Sequence, residues 1–329
     1  MTTYAMADLF AGIGGFHQAA NANGVDVVWA NDILDSSKII YEHNYPYTVF
    51  DSRPLEDIPV EDIPDVDIVT GGFPCQPFSV AGNRKGFEDP RGELFFRVMD
   101  VVRAKNPQVV FLENVKNLTT HNNGETMDVI ESLLADEGYT VSWKVLSSIK
   151  HGNIPQKRER VFIVAFLDPD AAERFEFPDE VDLTIGVRDL TDDIVPEKYH
   201  YNGKPLYARV VDDITDDDTV YQWRRKYVRA LAGGTCPTLT AAMGGGGHNV
   251  PIIKRGSIIR KLTPRECFRL QGFPDSFEFP EKMSDTKLYH MAGNSVTVPV
   301  VSRVMGNIMT ALTPPAADDG PSRGPSATT

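Results

Sequence analysis

The chain has 329 residues, 41% apolar and 24% charged, an ordinary balance for a globular protein and enough for one large domain with a smaller companion. No run approaches the roughly 18 consecutive apolar residues of a membrane span, and Met1-Thr2-Thr3-Tyr4-Ala5 has no basic signal region, so neither anchor nor secretory leader is expected. Three scattered cysteines, Cys75, Cys236 and Cys267, match no zinc spacing and no disulfide framework; they suit a reducing cytoplasm, and no metal is expected.

Tyr4–Phe10 reads as a strand, followed by a turn with Gly12, Gly14 and Gly15 and a helix from Phe16 to about Asn23. Val25–Ala30 is a second strand, Asp35–Asn44 a helix and Asp65–Thr70 a third strand. Alternation continues through a helix at Leu94–Ala104, a strand at Val109–Leu112, a helix at Thr126–Glu137 and strands at Val141–Leu146 and Arg160–Phe166. Strands alternating with helices at this spacing predict an α/β fold on a parallel or mostly parallel sheet. From Phe175 to about Pro280 the pattern dissolves into Asp, Gly and Pro, which predicts a second domain of short strands and loops. A helix returns at Val298–Leu312, and the Pro, Ala and Ser-rich residues 314–329 are expected to be disordered.

The formal charge of −13 opposes a polyanionic partner on average. Its distribution favours one. Between Tyr221 and Arg265 lie nine Lys or Arg and no Asp or Glu, just after five aspartates within Asp212–Asp218. A solvated face usually mixes signs, so this segment predicts a polyanion-binding surface.

Four elements carry chemistry. Asp8-Leu9-Phe10-Ala11-Gly12-Ile13-Gly14-Gly15 ends a strand in glycines that let backbone approach a ligand. A dinucleotide fingerprint needs a third glycine where His17 stands, so a nucleoside without pyrophosphate fits better, with Asp32 placed for ribose hydroxyls. Phe73-Pro74-Cys75-Gln76-Pro77-Phe78 holds a thiol on a stiff loop after an apolar run, since each proline fixes φ. Glu113 follows Phe111-Leu112, where desolvation favours the protonated carboxyl, able to donate to a ring nitrogen. Alternation on a strand puts Gln156, Arg158 and Arg160 on one face, with donors suited to a carbonyl oxygen. Each alone has a plainer reading: a small buried cysteine, a packing turn, a capping glutamate, a solvated charged face.

Together, and in this order, they resemble the motif series of the bacterial DNA (cytosine-5)-methyltransferases. The series continues through Arg260-Lys261-Leu262-Thr263-Pro264-Arg265-Glu266-Cys267, Gln271-Gly272-Phe273-Pro274 and Gly293-Asn294-Ser295-Val296, covering about residues 5–310. The resemblance implies a Rossmann-like catalytic and cofactor-binding domain over residues 1–180 and 281–313, using S-adenosyl-L-methionine, and a target-recognition domain over 181–280. It implies that Cys75 adds to C6 of a flipped-out cytosine, that Glu113 contacts N3 and the exocyclic amine, and that Arg160 holds O2 with support from Arg158. For the cofactor it implies Phe10 against adenine, Asp32 on ribose, and Gly12 and Gly14 at the close backbone approach. Ile33 stands where an aromatic often stacks, and Asp51 is the candidate for the adenine amino group. Pro74 and Leu94 are implied to line the site, with Asn294 and Ser295 near the methionine end. Val80–Asp89 resembles the family's mobile lid; Ser79, Arg224, Arg225, Arg229 and Thr238 are the expected DNA contacts; Cys236 and Cys267 are expected to be structural.

The expected partner is double-stranded DNA, met by a monomer in a prokaryotic or phage-infected cytoplasm, at the nucleoid, with or without a separate restriction endonuclease. A tRNA methyltransferase of the same chemistry is disfavoured because no Cys-Phe-Thr run occurs late in the chain. The set of Cys75, Glu113 and Arg160 argues against a catalytically dead DNA-binding relative. His17 and the lack of a hydride-transfer constellation exclude a nicotinamide dehydrogenase.

Overall fold

Apolar runs buried on both faces form the centre of the protein. The computed structural model describes residues 3–74, 93–231, 233–245 and 249–313. In chain order the first strands are β1 (Ala5–Leu9), β2 (Asp26–Asn31), β3 (Val49–Asp51), β4 (Ile68–Gly71), β5 (Val109–Val115), β6 (Thr140–Ser147), β7 (Gln156–Lys157) and β8 (Glu159–Phe166). Among the described residues seven of them make one sheet in the order β3-β2-β1-β4-β5-β8-β6. The five from β3 to β5 run parallel, and β8 lies antiparallel between β5 and β6.

Helices cover both faces. Successive strand residues point to opposite sides: Met6, Ile68, Phe111 and Val164 pack with helices α1 (Gly15–Ala22) and α10 (Val298–Leu312). Ala7, Val69, Val110 and Ile163 pack with α3 (Glu93–Lys105) and α4 (Glu125–Asp136). In α10 the buried Val301, Val304, Met305 and Ile308 recur at i, i+3, i+4 and i+7, the single apolar stripe that a helix docked on a sheet requires. Helix α9 (Asp285–Asn294), which begins at a Ser284 cap, precedes α10. On length and composition Asp285–Leu312 could cross a membrane, but it is two helices parted at Ser295–Thr297, and 56% of its apolar stretch is buried in the core.

The expected irregular region contains a second sheet, of β9 (Val220–Trp223), β10 (Val228–Leu231), β12 (Ile252–Arg255) and β13 (Ile258–Lys261), in the order β10-β9-β12-β13. Between them β11 (Cys236–Pro237) leaves to pair with β7 beside the large sheet. Helix α8 (Pro264–Arg269) opens with a capping box, Thr263 and Glu266 each accepting from the other's backbone N–H. Its Phe268 and the following Phe277 share a core with Tyr41 and Tyr45 of the N-terminal half, so residues 264–277 pack against both regions.

One element went unread and one expectation needs correction. The three-residue edge strand β3 gave no sequence signal. The single strand face expected across Gln156, Arg158 and Arg160 is broken, because 156–157 pair with β11 and Arg158 lies between two strands with its side chain in the core.

Candidate active site

A cavity of about 470 Å³ opens where β1, β2, β4 and β5 end. Strand order reverses between β1 and β4, and an open parallel sheet leaves a crevice for ligand at such a switch point. Phe10, Gly12 and Gly15 after β1 and Asp32, Ile33 and Leu34 after β2 form one wall. Pro74, Glu113 and Arg160 stand on another, with Leu94 of α3 also lining the space. A third wall comes from far along the chain: Met291, Gly293, Asn294 and Ser295 at the end of α9.

The turn after β1 is held by the Asp32 carboxylate, which accepts from Gly12 N at 3.1 Å and Leu34 N at 2.9 Å. Burial moves Asp32 above the usual carboxylate range, with those two backbone donors opposing. Gly12 has φ +56°, and no atom lies within 4 Å of where a Cβ would sit. Gly14 is needed for another reason. At φ +83° a Cβ there would fall 2.4 Å from the Tyr45 ring, so this glycine serves packing, and the cavity wall is continued by Gly15 instead. His17, standing where a dinucleotide fold would have glycine, is buried with its ring stacked on Tyr45 at 3.7 Å and Nδ1 2.8 Å from the Tyr41 hydroxyl. Burial pulls its pKa down to about 4. Phe10 adopts φ 55°, a backbone state uncommon for a bulky side chain.

Glu113 ends the run Val109–Leu112 and is almost completely buried. Arg160, opposite Val115 on the neighbouring antiparallel strand, brings Nε to 3.0 Å from Glu113 Oε1. Burial raises the Glu113 pKa, while Arg160 and Arg158 pull against it. The site therefore holds a desolvated carboxyl beside a fixed guanidinium, a pair able to address a ring nitrogen and an adjacent carbonyl of one flat heterocycle.

Relatives share this architecture. The family model for C-5 cytosine-specific DNA methylases matches residues 4–310. The chain belongs to that family. It is a DNA (cytosine-5)-methyltransferase, with S-adenosyl-L-methionine as methyl donor. It is similar to the Type II methyltransferase M.Bsp6I of Bacillus sp. (strain RFL6), 45% identical over 92% of this chain and 98% of that one. It is also similar to M.HaeII of Haemophilus aegyptius, 38% identical over 95% of both chains, and to M.HhaI of Haemophilus parahaemolyticus, 36% identical over 95% and 96%. The fold matches the crystal structure of S. pombe Dnmt2 with a TM-score of 0.73, at 24% identity over 94% of this chain and 99% of that one.

For this methyltransferase the cavity suits the donor: a carboxylate and open glycine backbone at one end, apolar Phe10 and Ile33 beside them, and polar Asn294 and Ser295 opposite. Phe10, Gly12, Asp32, Ile33, Pro74, Leu94, Asn294 and Ser295 line it, whereas Gly14 and Asp51 do not. The Asp51 carboxylate is engaged by Arg53 at 2.7 Å, which holds it below the usual range. Cys75, Ser79 and the expected lid Val80–Asp89 lie outside the described residues. Motif reading missed Leu34, Glu56 and Met291 on the walls; Ser284, which caps the helix that carries Met291, is a signal that could have placed that helix.

Arg158 departs most from expectation. It is 3% exposed, and its guanidinium donates to backbone carbonyls, Leu239 O at 3.0 Å, Gly293 O at 3.4 Å and Ser295 O at 2.6 Å. It borders the cavity while its terminal nitrogens hold protein backbone.

Phe10→Gly tests the cofactor wall. Relief of the left-handed backbone, about 1 kcal/mol, offsets the flexibility cost of glycine, but the Phe10 ring also packs against the core, so the melting temperature should fall by several degrees. Loss of the aromatic contact, about 1.4 kcal/mol, should weaken S-adenosylhomocysteine binding roughly tenfold by calorimetric titration.

The basic segment also changes in meaning. Lys254 pairs with Asp217 at 2.6 Å, and Arg260 with Glu266 at 2.7 Å. Arg255 donates to the Asp217 carbonyl, Arg265 donates to the Phe277 carbonyl over the Phe279 ring, and Lys261 lies over Tyr199 and Tyr289. Arg224, Arg225, Lys226 and Arg229 are all exposed, on the β9–β10 hairpin, with no acidic side chain bound to them among the described residues. The free positive charge is thus narrower than the sequence suggests. Thr238 spends its hydroxyl proton on Lys157 O, so it fastens its segment to the catalytic strands.

Proposed function

We propose that Cys75 is the nucleophile, Glu113 the acid at N3 and Arg160 the donor to O2 of a cytosine turned out of double-stranded DNA, with residues 181–280 selecting the sequence. The observation that carries this reading is the Glu113–Arg160 pair on the same cavity wall as Pro74, the residue before Cys75. The thiolate adds to C6 while Glu113 gives a proton to N3, and the ring pair passes to C5 as an enamine carbon. Bound S-adenosyl-L-methionine supplies an electrophilic methyl group, which C5 accepts. Loss of the C5 proton, departure of the Cys75 thiolate and return of the N3 proton to Glu113 then restore the aromatic ring. Phe10, Gly12 and Asp32 hold the nucleoside part of the donor, and Asn294 and Ser295 its amino-acid end.

The β9–β10 hairpin is the DNA-facing element. Its tip runs Arg224-Arg225-Lys226-Tyr227, all exposed, with Arg225 at φ 67°. Clustered cations without acidic partners neutralise phosphates, and an arginine fork reads guanine in the major groove. The chain acts as a monomer in a prokaryotic cytoplasm, where its DNA is, and M.Bsp6I, M.HaeII and M.HhaI, named Type II methyltransferases, favour pairing with a separate endonuclease of matching specificity. Bisulfite sequencing of DNA from a host expressing the wild type should show one methylated motif. Arg225→Ala and Arg224→Ala should each relax one base pair by about 1–3 kcal/mol, or weaken all sequences alike with a flatter salt dependence. If neither substitution changes motif or salt slope, the hairpin does not meet DNA.

A further inference from the structure

Helix α9 divides into two faces. Leu288, Tyr289, Met291 and Ala292 are buried, whereas Thr286, Lys287 and Asn294 stay exposed and His290 is half-buried among them. Side chains four positions apart stand one above the other on a helix, and along this outer stripe His290 meets Asn294, with Asn294 Nδ2 3.1 Å from His290 Nε2. An amide nitrogen only donates, so Nε2 is the acceptor and the ring proton sits on Nδ1. Asn294 lines the donor cavity; His290 stands one turn behind it.

The histidine is fenced in place. A Cβ at Gly244 would fall 2.7 Å from His290 Cβ and 2.5 Å from Thr286 O, so the backbone of Gly244 rests directly on this turn of α9, an approach that a side chain would block. Asn294 has the opposite surroundings. It is the last residue of the helix, its side chain is exposed, and among the described residues its amide has no hydrogen-bond partner besides His290. An exposed amide without a partner samples several orientations, and fixing it on a ligand costs entropy at the moment of binding. With Nδ2 engaged by the histidine, the amide plane is set beforehand and Oδ1 is left for a second partner.

We infer that His290 is a positioning residue for the amino-acid end of the methyl donor: it locks the Asn294 amide so that Oδ1 accepts from the donor's α-ammonium group. The inference rests on the reading of Asn294 and Ser295 as the wall that holds that end. Of the two charged groups there, the carboxylate offers acceptors only, so the ammonium, with three N–H donors and a full charge, is the one a carbonyl oxygen can bind. His290 touches no part of the donor and acts through the asparagine alone.

The test compares two ligands that share the nucleoside and differ at that end. S-adenosylhomocysteine carries the α-ammonium and α-carboxylate, and 5′-methylthioadenosine carries neither. Each Kd is measured by calorimetry for the wild type, His290→Leu, His290→Gln, Asn294→Ala and the double variant of His290→Leu with Asn294→Ala. His290→Leu removes the acceptor, and should weaken S-adenosylhomocysteine roughly fivefold while 5′-methylthioadenosine stays within about twofold. Glutamine reaches a similar distance with an acceptor oxygen, so His290→Gln should hold S-adenosylhomocysteine within about twofold of the wild type. Asn294→Ala should weaken S-adenosylhomocysteine roughly tenfold, and adding His290→Leu should change that by no more than about twofold. A merely structural histidine would weaken both ligands alike, and that result overturns the inference. So does wild-type affinity in His290→Leu, a glutamine variant as weak as the leucine one, or full additivity in the double variant. Asn294→Ala with wild-type affinity for S-adenosylhomocysteine refutes instead the reading of the amino-acid end, on which the inference stands.

Discussion

Cys75→Ser should abolish methyl transfer, to below about one part in 10³–10⁴ of the wild-type rate, while S-adenosylhomocysteine binding survives. A thiol at neutral pH already holds a few per cent of thiolate, which is intrinsically very nucleophilic, whereas a serine hydroxyl supplies almost no alkoxide without a dedicated base. The cavity walls that would hold the nucleoside, Phe10, Gly12 and Asp32, follow directly on β1 and β2 and lie far in sequence from position 75. The mechanism leaves a chemical trace. On DNA with 5-fluorocytosine at the target, the thiolate adds at C6 and C5 is methylated, but fluorine cannot leave as a proton does, so enzyme and DNA stay joined. The wild type should form a denaturation-resistant adduct that needs the methyl donor, and the serine variant none. A wild type that forms no adduct, or a serine variant with normal turnover, would remove Cys75 from the reaction.

The sequence displayed the sheet more clearly than the site around it. Central strands covered on both faces are near-continuous apolar runs, and Val109–Leu112 or Val161–Phe166 can hardly be read otherwise. The α2 and α10 bounds, Asp35–Asn44 and Val298–Leu312, follow from amphipathic spacing and punctuation. Glu113, Arg160 and Asp32 were legible because their chemistry sits at strand ends, where open sheets place ligands. Arg158 was not. Sequence alone assigns an arginine in a charged run to solvent or substrate, and only the arrival of Leu239, Gly293 and Ser295 from distant segments gives it carbonyls to hold. The single-sign segment misled in the same way: Asp217 meets Lys254 across 37 positions, so local charge density overstated the free charge. The left-handed backbone of Phe10 also left no signal, since glycine is the usual mark of such a state and the residue is not glycine.

Glu113→Gln should slow the chemical step by about 10²–10⁴-fold with DNA affinity within about threefold of wild type. Glutamine is the informative change because its side-chain amide can still present an oxygen to Arg160, whose Nε lies 3.0 Å from Glu113 Oε1, so the guanidinium keeps a polar neighbour. Its amide can donate a hydrogen bond toward a ring nitrogen but cannot deliver a proton, and the loss therefore belongs in single-turnover rate rather than in binding. The pH dependence has a definite sign. Burial lifts Glu113 above its ordinary value against the pull of Arg160 and Arg158, so the protonated, donating form persists to higher pH than in water. Activity that needs this form is present below the raised pKa and declines as pH climbs through it, while the Cys75 thiolate becomes more abundant in the same direction. The wild-type profile should thus rise and then fall. In the glutamine variant the falling limb should vanish, leaving the rise alone, because no group at position 113 remains to lose a proton. Single-turnover rates across the pH range decide the matter: a glutamine variant with a near-wild-type rate, or one that keeps the falling limb, assigns the proton at N3 to another group.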